Sequence, residues 1–516
     1  KRFIIMANTK MQSSFLDKII GLFSPSIALR RMQYKQAIDI VSSDRGYYGA
    51  AKGRRTSQWN AQSTSANAEI HNALTFLRNR SRDLVRNNGY AKKAVTEIAN
   101  NIAGTGITPT PLIDSKPQLK KIKSVFTAWA DSVECDYDGH LNFWGIQHLA
   151  AWCMAESGEV LIRKHINSSP TALFPLQLQV LESDFIDTSK YADKLGDGGY
   201  IYYGVEFNKN NQIVAYWLWE THPGDHIQFN LKSNRIPASD IIHLFKKERP
   251  GQFRGVPFGH AAMIRLKDLE EFEDTQLIRQ KIAACFTAFR RKTGVVALPG
   301  VADSSNTNRL EKVEPGIIED LAPGEEITFG TPPDAGASYD PYTKSVLRGI
   351  AAAYGIDYIT LTGDLTAVNF SSGRMGWLQF HRNIAVWQWN TFIPTVCNRV
   401  WLWFMQLAVI TGTAKTQAVP VRWTTPRREM IDPTKEIDAM VTAINNNLMS
   451  WQETIRETGY NPEDVLQQLS NDRTMFADLG LDQEYAIRFK GVSTPKPGAD
   501  DQENTDPEAP KNKDKK

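Results

Sequence analysis

Apolar residues recur at three- and four-residue steps through residues 65–102, at Ala68, Ile70, Leu74, Leu77, Leu84, Val85, Ala91, Ala94, Val95 and Ile98. That period predicts one long helix, stopped by Gly104. Between residues 160 and 245 the pattern changes to short runs rich in β-branched and aromatic residues, at 176–181, 200–207 and 213–219, separated by Asn and Gly turns. This is the signature of a sheet-containing region. A second long helix is expected over 258–292, which holds no Pro or Gly after Gly259 and would span about 50 Å at 1.5 Å per residue. Gly294 would end it.

The stretch 295–340 is punctuated by Pro299, Pro315, Pro323, Pro332 and Pro333 and reads as a small protruding module. Helical character returns at 341–354, breaks in a loop at 355–372, and resumes as a Trp-rich helix to about Ile410 that Pro394 interrupts. Another helical region is expected over 433–469. The aromatic residues Trp377, Phe380, Trp387, Trp389, Phe392, Trp401, Trp403 and Phe404 fall on more than one face of their helix, so buried core is the default reading and base stacking the outsider. The tail, 493–516, has no aromatic residue and too little apolar surface to order itself.

Composition narrows the function classes. With 516 residues and 41% hydrophobic content, the chain has room for two to four domains with real cores. Sixty Lys and Arg against 57 Asp and Glu give a net charge of only +3, so any contact with nucleic acid must be local or loose. Cys135, Cys153, Cys285 and Cys397 lie far apart without a CxxC pair, which argues against zinc or a disulfide framework and fits a reducing compartment. The longest uncharged runs fall short of the roughly 20 apolar residues of a bilayer crossing, so no membrane span is expected. The first residues lack the features of a secretory signal and read as a mobile leader.

Enzyme motifs are mostly missing: no Gly-Lys dipeptide serves a phosphate-binding loop, and there is neither HExxH nor GxSxG. No catalytic residue, metal ligand or cofactor is therefore expected. His222 and His226 stand four apart, but Pro223 and Gly224 make the segment a turn rather than a ligand-bearing helix face. Glu156 and Glu159, or Glu182, Asp184 and Asp187, offer paired carboxylates for metal-dependent hydrolysis, with structural acids the plainer reading. Arg78, Arg82 and Arg86 form one stripe, continued by Lys93, suited to phosphates, to acids of a neighbouring subunit, or to plain solvation. Asp268, Glu270, Glu271, Glu273 and Asp274 place five acids in seven residues on the second long helix, followed by Arg279, Lys281, Arg290, Arg291 and Lys292. A solvated face explains them; if instead they line a pore, carboxylates would repel phosphates and prevent the grip that stalls sliding DNA.

Collinear segments carry a resemblance over about residues 25–475. They include Arg45-Gly-Tyr, Thr64-Ser-Ala-Asn-Ala-Glu-Ile, Ser81-Arg-Asp-Leu-Val-Arg-Asn-Asn, Glu159-Val-Leu, Leu176-Gln-Leu-Gln-Val-Leu-Glu and His222-Pro-Gly-Asp. Glu248-Arg-Pro-Gly-Gln-Phe-Arg-Gly-Val-Pro, Lys281-Ile-Ala-Ala-Cys-Phe, Glu314-Pro-Gly, Leu361-Thr-Gly-Asp and Asn369-Phe-Ser-Ser continue the series. In this order they resemble the lambda-like portal proteins of tailed phages, with Asp357 and Phe370 departing from the pattern.

The resemblance implies an α+β fold assembled as a homododecameric ring with wing, stem, clip and crown. It implies a leader at 1–24, a wing at 25–257, a first stem helix at 258–293 and a clip at 294–340. A second stem helix at 341–355, a channel loop at 356–372, a long wing helix and return at 373–425, a crown at 426–490 and a disordered tail at 491–516 complete the plan. The ring would sit at one capsid vertex, assembled in the host cytoplasm with major capsid and scaffold proteins, and pass double-stranded DNA. It would dock the terminase large subunit first and the head-tail connector later. Candidate channel-lining residues are then the five acids of the stem with Asp364, Asn369, Ser371 and Ser372, and Arg78, Arg82, Arg86, Arg290, Arg291 and Lys292 are candidate phosphate or inter-subunit contacts. The alternatives are a metal-dependent nuclease and a non-viral structural scaffold.

Overall fold

The computed structural model describes residues 63–225, 232–284, 288–292, 325–329, 339–366 and 370–481, with backbone alone at 282–284, 288–292, 325–329 and 370–372. The expected leader, most of the clip, Asn369, His226 and the tail lie outside the described residues. The chain divides into units Lys1–Ser65 and Ala66–Lys516, and the second carries the fold.

The helix expected over 65–102 is two: α1 (Ala66–Asn87) and α2 (Gly89–Ile102). Asn88 breaks it, because its side chain accepts from the backbone N–H of Tyr90 and Ala91 and caps α2. Strand β1 (Thr108–Pro111) and helices α3 (Lys116–Asp131) and α4 (Phe143–Ser157) lead into the sheet region. There β2 (Glu159–Ile166) is central, flanked antiparallel by β3 (Leu176–Glu182) and β8 (Ile241–Phe245). A second sheet orders β4 (Tyr200–Tyr202), β5 (Val205–Phe207), β6 (Ile213–Trp219) and β7 (Ser233–Pro237) in sequence. The expected run at 200–207 is thus a tight hairpin, turned at Tyr203 and Gly204, both with positive φ.

Strand β2 shows why the core has two parts. Side chains alternate across a strand, so Val160 and Ile162 enter a large core shared with the helices, while Leu161 enters a smaller one under the four-stranded sheet. Both faces of this strand are buried, as its apolar run requires.

The helix expected over 258–292 is shorter. A 3₁₀ turn at Phe258–Ala261 opens α5 (Met263–Ala284), about 33 Å at 1.5 Å per residue. Ala288–Lys292 is a strand, β9, paired antiparallel with β10 (Glu325–Phe329). The unbroken absence of Pro and Gly was therefore not enough to extend the helix, since the run through Phe286, Thr287 and Phe289 suits a strand equally. Register sets Glu325 across from Lys292 and Glu326 across from Arg291. Helix α6 (Tyr339–Tyr354) then returns beside α5.

The loop expected over 355–372 contains a short helix, α7 (Tyr358–Thr362), N-capped by Asp357. Helix α8 (Phe370–Trp387) begins before the expected loop ends, and it runs without a break through a π-helical segment, Gln388–Cys397, into α9 (Asn398–Ile410). Pro394 sits inside that segment, where wider turns accommodate a residue lacking an N–H. The stretch Gly373–Ile410 is long and apolar enough to cross a membrane, but 56% of its most apolar window is buried in the fold. Its aromatic residues join Phe126, Trp129, Phe143 and Phe174 in the main core, with Trp401 and Phe404 in ring contact with Phe126. Trp389, 48% exposed, and the half-buried Trp377 are the exceptions. Strand β11 (Val421–Thr424) pairs with β1, and α10 (Pro433–Asn445), α11 (Trp451–Glu457) and α12 (Pro462–Asp478) close the described chain.

Candidate functional site

Helix α5 buries Met263, Leu266 and Leu269, with Ala262 just before it, in the main core with Leu347, Ile350 and Tyr354 of α6. Phe272 extends the contact, stacking on Tyr339 and packing at 4.8 Å from the Tyr342 ring. Gly349 admits Arg265, whose Nη1 would lie 2.1 Å from a Cβ there. Asp268, Glu271 and Asp274 are exposed, while Glu270 and Glu273 are half-buried, one turn beyond Leu266 and Leu269. Glu270 accepts from Lys267 at 3.1 Å. Partial burial, then the neighbouring charges of Asp274 and Glu270, push the Glu273 carboxyl above its ordinary value. Asp268, Glu271 and Asp274 thus form an outward negative surface, with the Lys267–Glu270 pair beside it. Arg290, Arg291 and Lys292 stand apart from it, on β9.

Asp364 is not a loose loop residue. Its carboxylate accepts from Thr366 N at 3.0 Å, Thr366 Oγ1 at 2.6 Å and Tyr358 Oη at 3.0 Å, and Lys344 lies 3.9 Å away. The bonds from Thr366 and then Tyr358 hold its pKa below the usual carboxylate value. Ser371 and Ser372 lie on the first turn of α8.

A second cluster is buried. Gly158, with φ +87°, ends α4 so closely that a Cβ there would meet Val256 at 2.2 Å, and a Cβ on Gly255 would meet the Gly158 carbonyl at 2.1 Å. Two backbones therefore approach where glycine alone fits, and this delivers Arg254 to Glu159. The Glu159 carboxylate accepts from Arg254 Nε at 3.0 Å, Gly255 N at 2.9 Å and His243 Nε2 at 3.0 Å, with Arg78 Nη1 at 3.7 Å. Burial alone would raise its pKa, but Arg254 and His243 outweigh that and hold it well below the ordinary range. His243 Nδ1 is buried without a hydrogen-bond partner.

Arg78 also donates to Ser183 Oγ at 2.8 Å and Asp184 Oδ1 at 2.9 Å, and Arg82 bridges Asp184 and Glu182 at 2.7 and 2.9 Å. The arginine stripe is accordingly divided, and its solvated, phosphate or inter-subunit readings need correcting for two members. Arg78, 4% exposed, and Arg82 are committed to acids of their own chain, while Arg86 is exposed. Burial would raise the Asp184 pKa; Arg78 and Arg82 lower it instead. Glu182, Asp184 and His222 bring one ligand atom each within 4.8 Å of one another. Two guanidiniums already supply the positive charge that a metal would bring, which leaves these acids a structural role. His222 occupies a turn, its carbonyl accepting from Asp225 N at 3.0 Å.

Sequence reasoning missed Arg254 and His243. The segment 248–257 was visible as a motif, and its fixed bend explains it: Gln252 Oε1 accepts from Glu248 N at 2.8 Å and Arg249 N at 3.0 Å. That pairing is invisible in a linear pattern because Glu159 lies 95 residues away.

A family model described as phage portal protein, lambda family, matches residues 52–388. The chain is 29% identical to a probable portal protein of Halomonas phage phiHAP-1 over 489 residues, covering 89% of this chain and 92% of that one. It is 21% identical to portal protein B of Escherichia phage lambda, covering 82% and 88%. Among solved structures, the neck of the native GTA particle is similar at 15% identity and a TM-score of 0.43, over 74% of this chain and 94% of that one.

Proposed function

The chain belongs to the lambda family of phage portal proteins, and we infer that copies of it close into a ring, of twelve subunits on the family plan, through which double-stranded DNA enters and leaves the head. Its location is the virion, at one vertex of the capsid, reached from the host cytoplasm with capsid and scaffold proteins. In this reading α5 and α6 are the stem, and 294–340 is the clip that docks terminase and later the connector. The observation that carries the reading is the acidic outer face of α5, next to an excursion whose ends β9 and β10 hold together.

Asp268, Glu271 and Asp274 repeated around a ring would give DNA a repelling wall, and so no array of ion pairs to break during translocation. The nuclease alternative loses its support, because the best-placed acids, Glu159, Glu182 and Asp184, are engaged by arginines. Negative-stain imaging with analytical ultracentrifugation tests the proposal. Rings with a central hole are expected near physiological salt, and a lone 58.1 kDa species would overturn it. Replacing residues 304–336 by a short Gly/Ser bridge should keep the rings and abolish terminase pull-down.

A further inference from the structure

Helix α8 is amphipathic in an unusual direction. Phe380, Ile384 and Trp387 fill the core. The opposite face still presents Met375 at 69%, Leu378 at 49%, Val386 at 48% and Trp389 at 48% exposure. With the exposed Arg382 these positions follow steps of three and four, and Met375, Arg382 and Trp389 are seven apart, the spacing of a helix seam. The four apolar residues expose on the order of 400 Å², the size at which a patch signals an interaction site. That is about half of the roughly 800 Å² each partner contributes to a stable contact.

A second such stripe lies on α10, which has no buried residue. Ile437 is 49% exposed and Val441 42%, and Leu448 just beyond the helix is 82% exposed. The two stripes differ in charge. From 373 to 389 the only charged residues are Arg374 and Arg382. Helix α10 with its cap carries Asp432, Glu436 and Asp438 against Lys435, which pairs with Asp432 at 2.9 Å. A groove of about 800 Å³ separates Leu378 and Trp389 from Glu436 and Met440 on α10 of the same chain, so Met375, Arg382 and Val386 are the part of the first stripe left outside it.

We propose that the α8 stripe is the seat of a second copy of this chain, whose α10 stripe packs on it with Asp438 against Arg382. Two different, oppositely charged faces on one chain make a head-to-tail contact, the kind that closes into a ring. The proposal rests on the ring reading above and deepens it by naming the subunit contact.

The test uses the full chain. Arg382→Asp and Asp438→Arg should each raise the concentration needed for ring formation at least tenfold, and combining them should restore assembly. In parallel, a Val386→Cys, Val441→Cys double variant should give a ladder of disulfide-linked oligomers on non-reducing gels. Wild-type chain that stays monomeric sinks the ring itself. Wild-type rings, with both single reversals assembling normally and only monomer on the gel, sink the α8–α10 contact and leave the ring standing. If a reversal fails to fold by circular dichroism, the cysteine ladder decides alone.

Discussion

The cluster around Glu159 and the acidic face of α5 use the same side chains for opposite ends. Around Glu159 every charge is spent inside the chain: Arg254 and Arg78 approach from separate segments, and the carboxylate has no access to solvent. On α5, Asp268, Glu271 and Asp274 face outward, and among the described residues the ion pair beside them is that of Lys267 with Glu270. Burial turns charge into a clamp that fixes α1 and the 248–257 segment on β2. Exposure keeps charge as a field that acts on whatever passes. The first region should therefore respond to mutation through stability, and the second through the salt dependence of DNA contact.

The largest effect is expected from Glu159→Gln. Removing the carboxylate leaves Arg254 buried without its anionic partner, while Arg78 keeps Asp184, a loss of about 3–5 kcal/mol by analogy with broken buried ion pairs. Urea denaturation read by tryptophan fluorescence measures it. A loss below about 1 kcal/mol would show that the cluster behaves like a surface pair, and the contrast with α5 would fail.

Acid should erase that difference. The Glu159 pKa is depressed in the folded chain, so its stabilisation is fully present above the unfolded carboxyl value of about 4.3. It declines as pH falls below that value, because the unfolded chain then takes up a proton the folded chain refuses, and it vanishes only below the folded pKa. The gap between wild type and Glu159→Gln should be flat from pH 8 to 5 and shrink as the pH falls further below about 4. A gap that closes well above pH 5 would show that Glu159 does not carry the acid response.

On α5 the triple change Glu270→Lys, Glu271→Lys, Glu273→Lys should leave the melting temperature nearly unchanged. DNA affinity should rise about tenfold at low salt, with the slope of log affinity against log salt steeper by about 0.9 for each phosphate engaged. Packaging should stall and recover with added salt. Assembled mutant rings with wild-type affinity and normal packaging would place this face away from the channel.

How much of this was readable in advance follows the same division. Periodicity is local, so it found β6, α6, the sheet region and the Trp-rich core helix almost as they stand. It failed where a single residue or a distant strand decides. Asn88 splits a helix by capping, and pairing with β10 claims residues 288–292 for a strand. The acidic run was legible because it lies within one helix. The Glu159 clamp was not, because its partners sit 81, 84 and 95 residues away. Arg78 illustrates the cost: its four-residue spacing suggested an outward stripe, whereas Ser183 and Asp184 turn it inward.

The smallest effect, and the finest test of the contrast, concerns Asp364, half-buried at the surface yet bonded like Glu159. Its oxygens organise the turn after α7 through Thr366 and Tyr358, so the carboxylate acts here as a local brace. Asp364→Asn keeps the size but weakens acceptance at one of the two oxygens, and the group lies outside the core, so its loss stays local. Hydrogen exchange at residues 362–366 should quicken several-fold while the midpoint of unfolding stays put, since local opening near a loop lies at the low end of the stability range. The depressed pKa gives the matching pH response: in wild type the same amides should remain protected through neutral pH and lose protection as acid protonates Asp364, whereas the Asn variant should show no such step. An unchanged exchange pattern in the variant would mean that Tyr358 and the Asp357 cap hold the turn without Asp364, leaving that carboxylate as free as the acids of α5.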